Sequence, residues 1–193
     1  MKDFDNEVRG YRCKGLQVVT VSVIQPLYKD GKKAKNVELI SFRETDKTFV
    51  AKKGYYKLMD RAFLIPEDYC VPNNELFKSY IELYGRKDKS YLEKVNGVPS
   101  RVVPIKFKLS LFQYLYTEDD TVTSNCILIP LADMIWYLKK IKANFYGKSL
   151  NQIAAQYIYD IGIYEYAGCN KEDYKPKRKN IFVRIWGFLT NKF

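Results

Sequence analysis

The residues of this sequence that could take part in chemistry are lysines, carboxylates and four cysteines, because the chain contains no histidine. Without histidine, neither a Ser-His-Asp nor a Cys-His arrangement can form, so hydrolysis through an activated nucleophile is not expected. The cysteines lie far apart and lack Cys-x-x-Cys spacing, at Cys13, Cys70, Cys126 and Cys169. The usual mixed Cys/His zinc sites are also impossible. We therefore expect no metal site, no cofactor, and reduced thiols in a cytoplasmic compartment.

The charge balance of the chain favours an anionic partner. The 33 Lys and Arg residues outnumber the 22 Asp and Glu residues, which gives a net charge of +11 over 193 residues. An excess of this sign suits the phosphates of nucleic acid. The 17 Tyr and 11 Phe residues leave two uses open, stacking on unpaired bases or filling the core. No apolar run approaches the ~18 to 20 residues that span a bilayer, so no membrane span is expected.

Short strands separated by turn residues dominate the sequence that must position these side chains. Strands are predicted at 16–24, where Pro26 ends the first one, and at 37–43, 48–52, 61–65, 101–111 and 125–129. Exposed loops are predicted at the lysine-rich segment 28–36 and at 85–100. Amphipathic helices are predicted behind Asn73 or Asn74 and at 132–142 and 150–160.

This order of elements is typical of a mainly β (α+β) fold. It predicts a small, closed, OB-like β-barrel with one inserted helix and helices at its C-terminal end, although other small barrels would give a similar order. We expect residues 16–166 to form this one domain, with residues 1–15 as an extension before it. A basic, partly amphipathic tail is expected at 167–193.

The tail combines a basic run at 174–179 with apolar residues at helical spacing, which are Phe182, Ile185, Trp186 and Leu189. Such a segment could dock on the barrel, lie on a membrane surface, or bind a partner protein. The sequence leaves these three uses open.

Residues 50–68, which read VAKKGYYKLMDRAFLIPED, resemble the amino-terminal OB domain of ATP-dependent RNA ligases of the phage and Naegleria type. In that family a strand, a Lys-Gly turn, a Gly-Asp turn, an apolar strand and a Pro-Glu-Asp exit follow one another. Here Met59 stands where the family has the glycine before Asp60, and Cys126 also stands where glycine is usual. The stretches 18–27, 101–108, 124–131 and 160–166 agree with the family in order, so the resemblance covers roughly residues 16–166.

The resemblance does not extend to the catalytic motifs of these ligases. In the family, a lysine of a Lys-x-Asp-Gly motif attacks ATP and becomes adenylylated. Only Lys94-Val95-Asn96-Gly97 has a comparable spacing, and Lys106-Phe107-Lys108 superficially mimics a later lysine motif. These two stretches lie too close together to admit the nucleotide-binding elements between them. We expect no catalytic residue here, and any enzyme activity would belong to a ligase of which this chain is a module.

The resemblance implies an accessory domain that contacts RNA or a nicked duplex through backbone phosphates. The expected contacts are basic side chains along the barrel, namely Lys52, Lys53, Lys57, Arg101, Lys106 and Lys108. The alternative is a structural or assembly protein, such as a virion-associated component of a phage particle. That protein would reuse the barrel and anchor itself to other proteins through its tail. For the tail itself the sequence leaves two protein partners open, a ligase catalytic domain or another protein.

Overall fold

The computed structural model describes residues 15–86, 90–113 and 120–166. Its strands are β1 (Gln17–Lys29), β2 (Lys32–Phe42), β3 (Thr48–Lys52), β4 (Arg61–Pro66), β5 (Tyr69–Cys70), β6 (Leu92–Val95), β7 (Val98–Val102), β8 (Ile105–Phe107), β9 (Val122–Ser124), β10 (Cys126–Pro130) and β11 (Tyr164–Glu165). The helices are a 3-10 turn (Glu75–Phe77) followed by α1 (Lys78–Glu82), then α2 (Leu131–Lys140) and α3 (Leu150–Ile161). The predicted mainly β fold with an inserted helix and later helices is confirmed.

The main sheet is antiparallel, with the strand order β10-β4-β1-β2-β3, and it curls into a nearly closed barrel. The ring closes where β3 meets the junction of β9 and β10. There the Thr48 hydroxyl donates to the carbonyl of Thr123 at 2.6 Å, and the Asn125 N–H donates to the carbonyl of Thr48 at 3.2 Å. The Val50 N–H donates to the hydroxyl of Ser124 at 3.2 Å. Side chains of the β9–β10 junction thus accept hydrogen bonds along the edge of β3.

The core lies on both sides of β4, an interior strand of the sheet between β10 and β1. Phe63, Leu64 and Ile65 are fully buried although successive side chains of a strand point to opposite faces. Helix α2 contacts β4 and β10, and helix α3 contacts β1. Because both faces of β4 are covered, its sequence is a continuous apolar run instead of an alternation.

The first strand and its partner extend beyond the barrel as a projecting hairpin, which we call the arm (residues 26–37). Pro26 was expected to end β1, and this expectation is wrong, because Pro26 pairs with Glu38 and the strand continues to Lys29. The register shifts between Pro26 and Tyr28. Such an irregularity accommodates a residue that has no N–H to donate.

The lysine-rich segment 28–36 was predicted to be a loop, and it is instead the end of the arm. Its two strands are joined by Asp30 and Gly31, both with positive φ values, of 51° and 72°. These values fit the type I′ turn, which Asp-Gly favours because its twist matches that of the flanking strands.

The predicted loop at 85–100 contains a second hairpin, formed by β6 and β7. Its turn residues Asn96 and Gly97 also have positive φ values, of 52° and 84°, so Asn-Gly acts here as Asp-Gly does in the arm. The strand predicted at 101–111 is divided, since β7 ends at Val102 and β8 begins after Pro104. Proline cannot donate to a sheet ladder and therefore separates the two strands.

The helical segments begin at residues whose side chains cap a helix N-terminus. Asn74 caps the 3-10 turn through its side-chain oxygen, which accepts from Leu76 N–H at 3.0 Å. Ser149 and Gln152 form a reciprocal capping box at the start of α3. Among the helices of the described ranges, none combines the length and the apolar composition needed to cross a membrane.

Replacing Ser124 tests the closure of the barrel. The change Ser124→Ala removes the acceptor of the buried Val50 N–H, and leaving such a donor unpaired costs about 1–3 kcal/mol. We expect this decrease in the free energy of unfolding, measured by urea denaturation. Thr121→Ala, an exposed change just before β9, should stay within about 0.5 kcal/mol. An equally small effect of Ser124→Ala would show that the barrel does not depend on this bond.

Candidate nucleic-acid interface

Three of the predicted contact residues lie together at the end of β3 and in the loop that follows. Lys52, Lys53 and Lys57 are all exposed. Lys52 pairs with Val37 of β2, and the Lys53 N–H donates to the carbonyl of Asn36 at 2.9 Å. The end of β3 therefore lies directly beside the base of the arm.

Lys106 and Lys108 lie on and just after β8. Ile105 is buried while Lys106 and Lys108 are exposed, as the alternation predicts. Two residues further on, Ser110 exchanges two backbone hydrogen bonds with Tyr28, of 2.8 and 2.9 Å. The chain after β8 thus lies against the other strand of the arm.

Arg101 differs from these lysines because its charge is balanced within the protein. Its guanidinium donates to Asp68 at 2.6 Å and to Glu93 at 2.5 Å, and it lies 4.5 Å from the ring centroid of Tyr166. The hydrogen bond to Asp68 is the main cause that raises the pKa of Arg101. Arg101 on β7 thus connects the residue before β5, strand β6 and the residue after β11, and the structure does not bring it together with the lysines.

The arm carries four further lysines, in the segment whose polarity predicts a loop, and these are Lys29, Lys32, Lys33 and Lys35. All four are exposed. Lys29 and Lys32 are cross-strand partners, and Lys33 is the partner of Tyr28. The signal that could have found them is Asp30-Gly31, a hairpin turn set between lysine-bearing strands.

These four lysines and the two at the end of β3 form what we call the lysine row, which is Lys29, Lys32, Lys33, Lys35, Lys52 and Lys53. Within the residues that the structure describes, the ion pairs engage other cations, namely Lys47, Lys78, Arg101 and Lys140. The lysine row therefore has no carboxylate partner among those residues. Like charges on directly opposite positions repel each other, so Lys29 and Lys32 gain from an anion between them.

A cavity of about 290 Å³ lies beside the lysine row. Strand β3, the loop after it, helix α1 and the start of α2 line this cavity. Its polar and aromatic lining residues include Lys52, Tyr55, Tyr56, Tyr80, Tyr91 and Asp133. The sequence analysis did not single out Asp133 or the two adjacent tyrosines, although Tyr55 and Tyr56 follow Lys52-Lys53-Gly54 directly.

Three tyrosines of this cavity have raised pKa values, chiefly because burial disfavours the phenolate. Burial raises the pKa of Tyr91 to about 12, against the effect of a hydrogen bond with Ser124. The pKa values of Tyr56 and Tyr80 are raised for the same main reason. The Tyr80 hydroxyl donates to the carbonyl of Leu128 at 2.7 Å. The three phenol groups are therefore uncharged at ordinary pH and line the cavity as neutral hydrogen-bonding groups.

The two lysine stretches that were compared with ligase motifs lie in strands. Lys94 is exposed on β6, and its ammonium group lies 5.4 Å from the ring centroid of Tyr84. Asn96 and Gly97, which follow it, are the hairpin turn described above. Lys106-Phe107-Lys108 continues from β8 at the side of the arm.

Cys70 and Cys126 are buried and unpaired, whereas Cys13 and Cys169 lie outside the described residues. In the part of the chain that the structure describes, no group of three or more His, Cys, Asp or Glu side chains could hold a metal ion. The expected tail contacts, Phe182, Ile185, Trp186 and Leu189, also lie outside the described residues.

The comparisons with known proteins identify a fold. No family model matches the sequence, and the search of curated proteins found no match. Among solved structures, the Naegleria gruberi RNA ligase with PPi matches 85% of this chain at 14% identity, with a TM-score of 0.50. A variant of that ligase with AMP and Mn matches 80% of this chain at 14% identity, also with a TM-score of 0.50.

The matched region makes up only 38% and 35% of those two ligase chains. At such low identity the likeness concerns the fold alone. The protein is therefore a mainly β barrel with helices whose fold is also found in part of an RNA ligase.

The buried tyrosines predict a loss of stability at high pH. Folding raises the pKa of Tyr91 above the ordinary value near 10, so its contribution to stability is complete below pH ~10 and falls as pH rises towards 12. The difference amounts to about 2 kcal/mol at pH 12. Urea denaturation across this range should show a shallower decline for Tyr91→Phe than for the unchanged protein. Tyr159→Phe, on an exposed ring, should decline like the unchanged protein, and equal slopes for all three would contradict the assignment.

Proposed function

We propose that this protein is a nucleic-acid-binding accessory module, related to the barrel of RNA ligases, that binds the phosphate backbone of RNA or of a nicked duplex. The observation that carries the proposal is the lysine row, six exposed cations without carboxylate partners in the described residues. Phosphate contacts of this kind supply much of the affinity for nucleic acid and release bound counterions.

The geometry of the arm supports this proposal. Neighbouring strands lie about 4.8 Å apart, so the cross-strand pair Lys29 and Lys32 presents two ammonium groups close together. Lys53 reaches the same strand through its bond to Asn36. Side chains alternate along β2, so Lys33 and Lys35 share one face of the arm with Lys52, the partner of Val37, whereas Lys29 and Lys32 share the other face. A phosphate chain that follows the first face would meet Lys33, Lys35 and Lys52 in succession.

Lys106 and Lys108 extend the proposed surface along the other side of the arm, and Lys57 extends it along the loop before β4. Arg101 is omitted, because Asp68 and Glu93 already neutralise its guanidinium. The ligase-like fold supports RNA as the nucleic acid, and the proposal assigns no chemical step to this chain. We also propose that the barrel is of the OB type, a fold that binds oligonucleotides on its strands and loops.

The lysine row predicts salt-dependent binding. We expect a short RNA duplex to bind at low salt, with an affinity that falls steeply as salt rises. Each lysine that contacts a phosphate contributes about one unit to the slope of log affinity against log salt. The double change Lys33→Ala/Lys35→Ala, which removes two exposed lysines from one face of β2, should therefore weaken binding and reduce the slope by about two units, measured by fluorescence anisotropy over a salt series.

A charge-matched control is Lys139→Ala/Lys142→Ala, which removes two exposed lysines at the end of α2. This variant should keep the slope of the unchanged protein. Equal losses in both variants would mean that net charge alone governs binding, and the lysine row would not be a site. Absence of any binding at low salt would overturn the proposed function.

The change Lys106→Ala/Lys108→Ala tests whether the surface extends to β8. A reduced slope would place both lysines on the phosphate path. An unchanged slope would restrict the path to the lysine row.

A further inference from the structure

The cavity beside the lysine row has the size of a site for one small planar ligand. It measures about 290 Å³, whereas pockets for drug-sized molecules measure about 300–1,000 Å³. Much of its lining is aromatic. The rings come from the loop after β3, from α1 and from the segment before β6. Flat rings of this kind favour a flat, partly apolar group over a branched or fully hydrated one.

Tyr55 stands at the mouth of this cavity with a solvent-exposed ring. Its exposed fraction is 58%, and it contacts Tyr56 edge-on, at a centroid distance of 5.1 Å and an interplanar angle of 77°. A perpendicular contact of this kind cannot cover both faces of the Tyr55 ring, and the exposed fraction shows that much of this ring is open to solvent. An uncovered tyrosine face next to cations is the arrangement on which unpaired bases stack.

The cavity lining also includes polar groups. Tyr56 is only 7% exposed and lines the cavity, so its phenol supplies a hydroxyl there. Asp133 supplies carboxylate acceptors from the first turn of α2, and the described ion pairs do not include it. A donor and an acceptor on one apolar cavity match the mixed donors and acceptors at the edge of a nucleobase.

The charges around the cavity give the ligand a direction. A neighbouring cavity of about 430 Å³ shares Asp133 with the first and is also lined by Glu75 and Glu82. Glu75 and Glu82 are ion-paired with Lys140 and Lys78, so the carboxylate charge that repels phosphate here is that of Asp133. Lys52, in contrast, adds a positive charge to the lining of the cavity, and Lys53 follows it in the lysine row. A phosphate attached to a bound base would therefore leave the cavity on the side of these lysines.

We propose that this cavity binds one unstacked nucleobase of single-stranded RNA, with Tyr55 stacking on the base and Lys52 and Lys53 holding the adjoining phosphate. This proposal rests on the proposed function and deepens it, because it adds a preference for unpaired over fully paired RNA. In a blunt duplex every base is stacked and paired, so only the lysine row would be used.

The test compares a short single-stranded RNA of mixed sequence with the blunt duplex formed from it, using Tyr55→Ala. Loss of base stacking costs about 1–3 kcal/mol, which is about a 5- to 150-fold loss of affinity for the single strand. Binding of the duplex should change less than about twofold. Tyr55→Phe, which keeps the ring, should retain single-strand binding. Tyr159→Ala removes a ring that is 73% exposed on α3 and is the matched control, with no expected effect on either RNA.

Asp133→Leu, which removes both carboxylate acceptors, and Tyr56→Phe, which removes the hydroxyl, test the interior of the cavity, and each should weaken the single strand more than the duplex. If Tyr55→Ala reduces both RNAs equally, or neither, the base site is wrong while the lysine row remains. If the unchanged protein binds neither RNA at low salt, the proposed function fails and the base site fails with it. Circular dichroism of each variant confirms that the barrel is intact.

Discussion

The barrel depends on the hydrogen bonds that the backbone N–H groups along one edge of β3 donate. One edge of this strand pairs with β2, and the other meets the β9–β10 junction, where Ser124 and Asn125 accept its backbone N–H groups. An open edge would leave unpaired donors and invite association with another chain. Because two short polar side chains close the barrel, β3 stays in place and its end can turn outward at Lys52. The position of the lysine row and of the cavity follows from this closure.

The arm requires a second support, since a hairpin on its own is marginally stable in water. A small apolar cluster beneath it, made of Leu27, Leu39, Val50 and Val122, is buried apart from the main core. Burial of such side chains contributes about 1.5–3 kcal/mol each, which offsets the repulsion between Lys29 and its cross-strand partner. The same residue, Val50, belongs to this cluster and to the barrel closure. The projecting lysines are therefore coupled to the fold that positions them.

The sequence was a good guide to the strands and a poor guide to two hairpins. Local alternation and proline positions indicated β3, β4 and the helices within a residue or two. Pro26 was read as the end of a strand, because the rule that proline interrupts a ladder holds for regular pairing and not beside an irregular register. Asp30-Gly31 and Asn96-Gly97 are strong hairpin signals, but each lay among charged residues whose polarity suggested loops.

What the sequence by itself determined is therefore local. It determined which residues alternate between the inner and outer faces of β8, and where Asn74 and Ser149 begin helices, since both depend on neighbours a few residues away. Only the tertiary structure decided that Arg101 is neutralised by Asp68 and that Tyr55 and Asp133 line one cavity. Those contacts join segments far apart in the chain, and they depend on which strands pair and on barrel closure, which the alternation within a single strand does not specify.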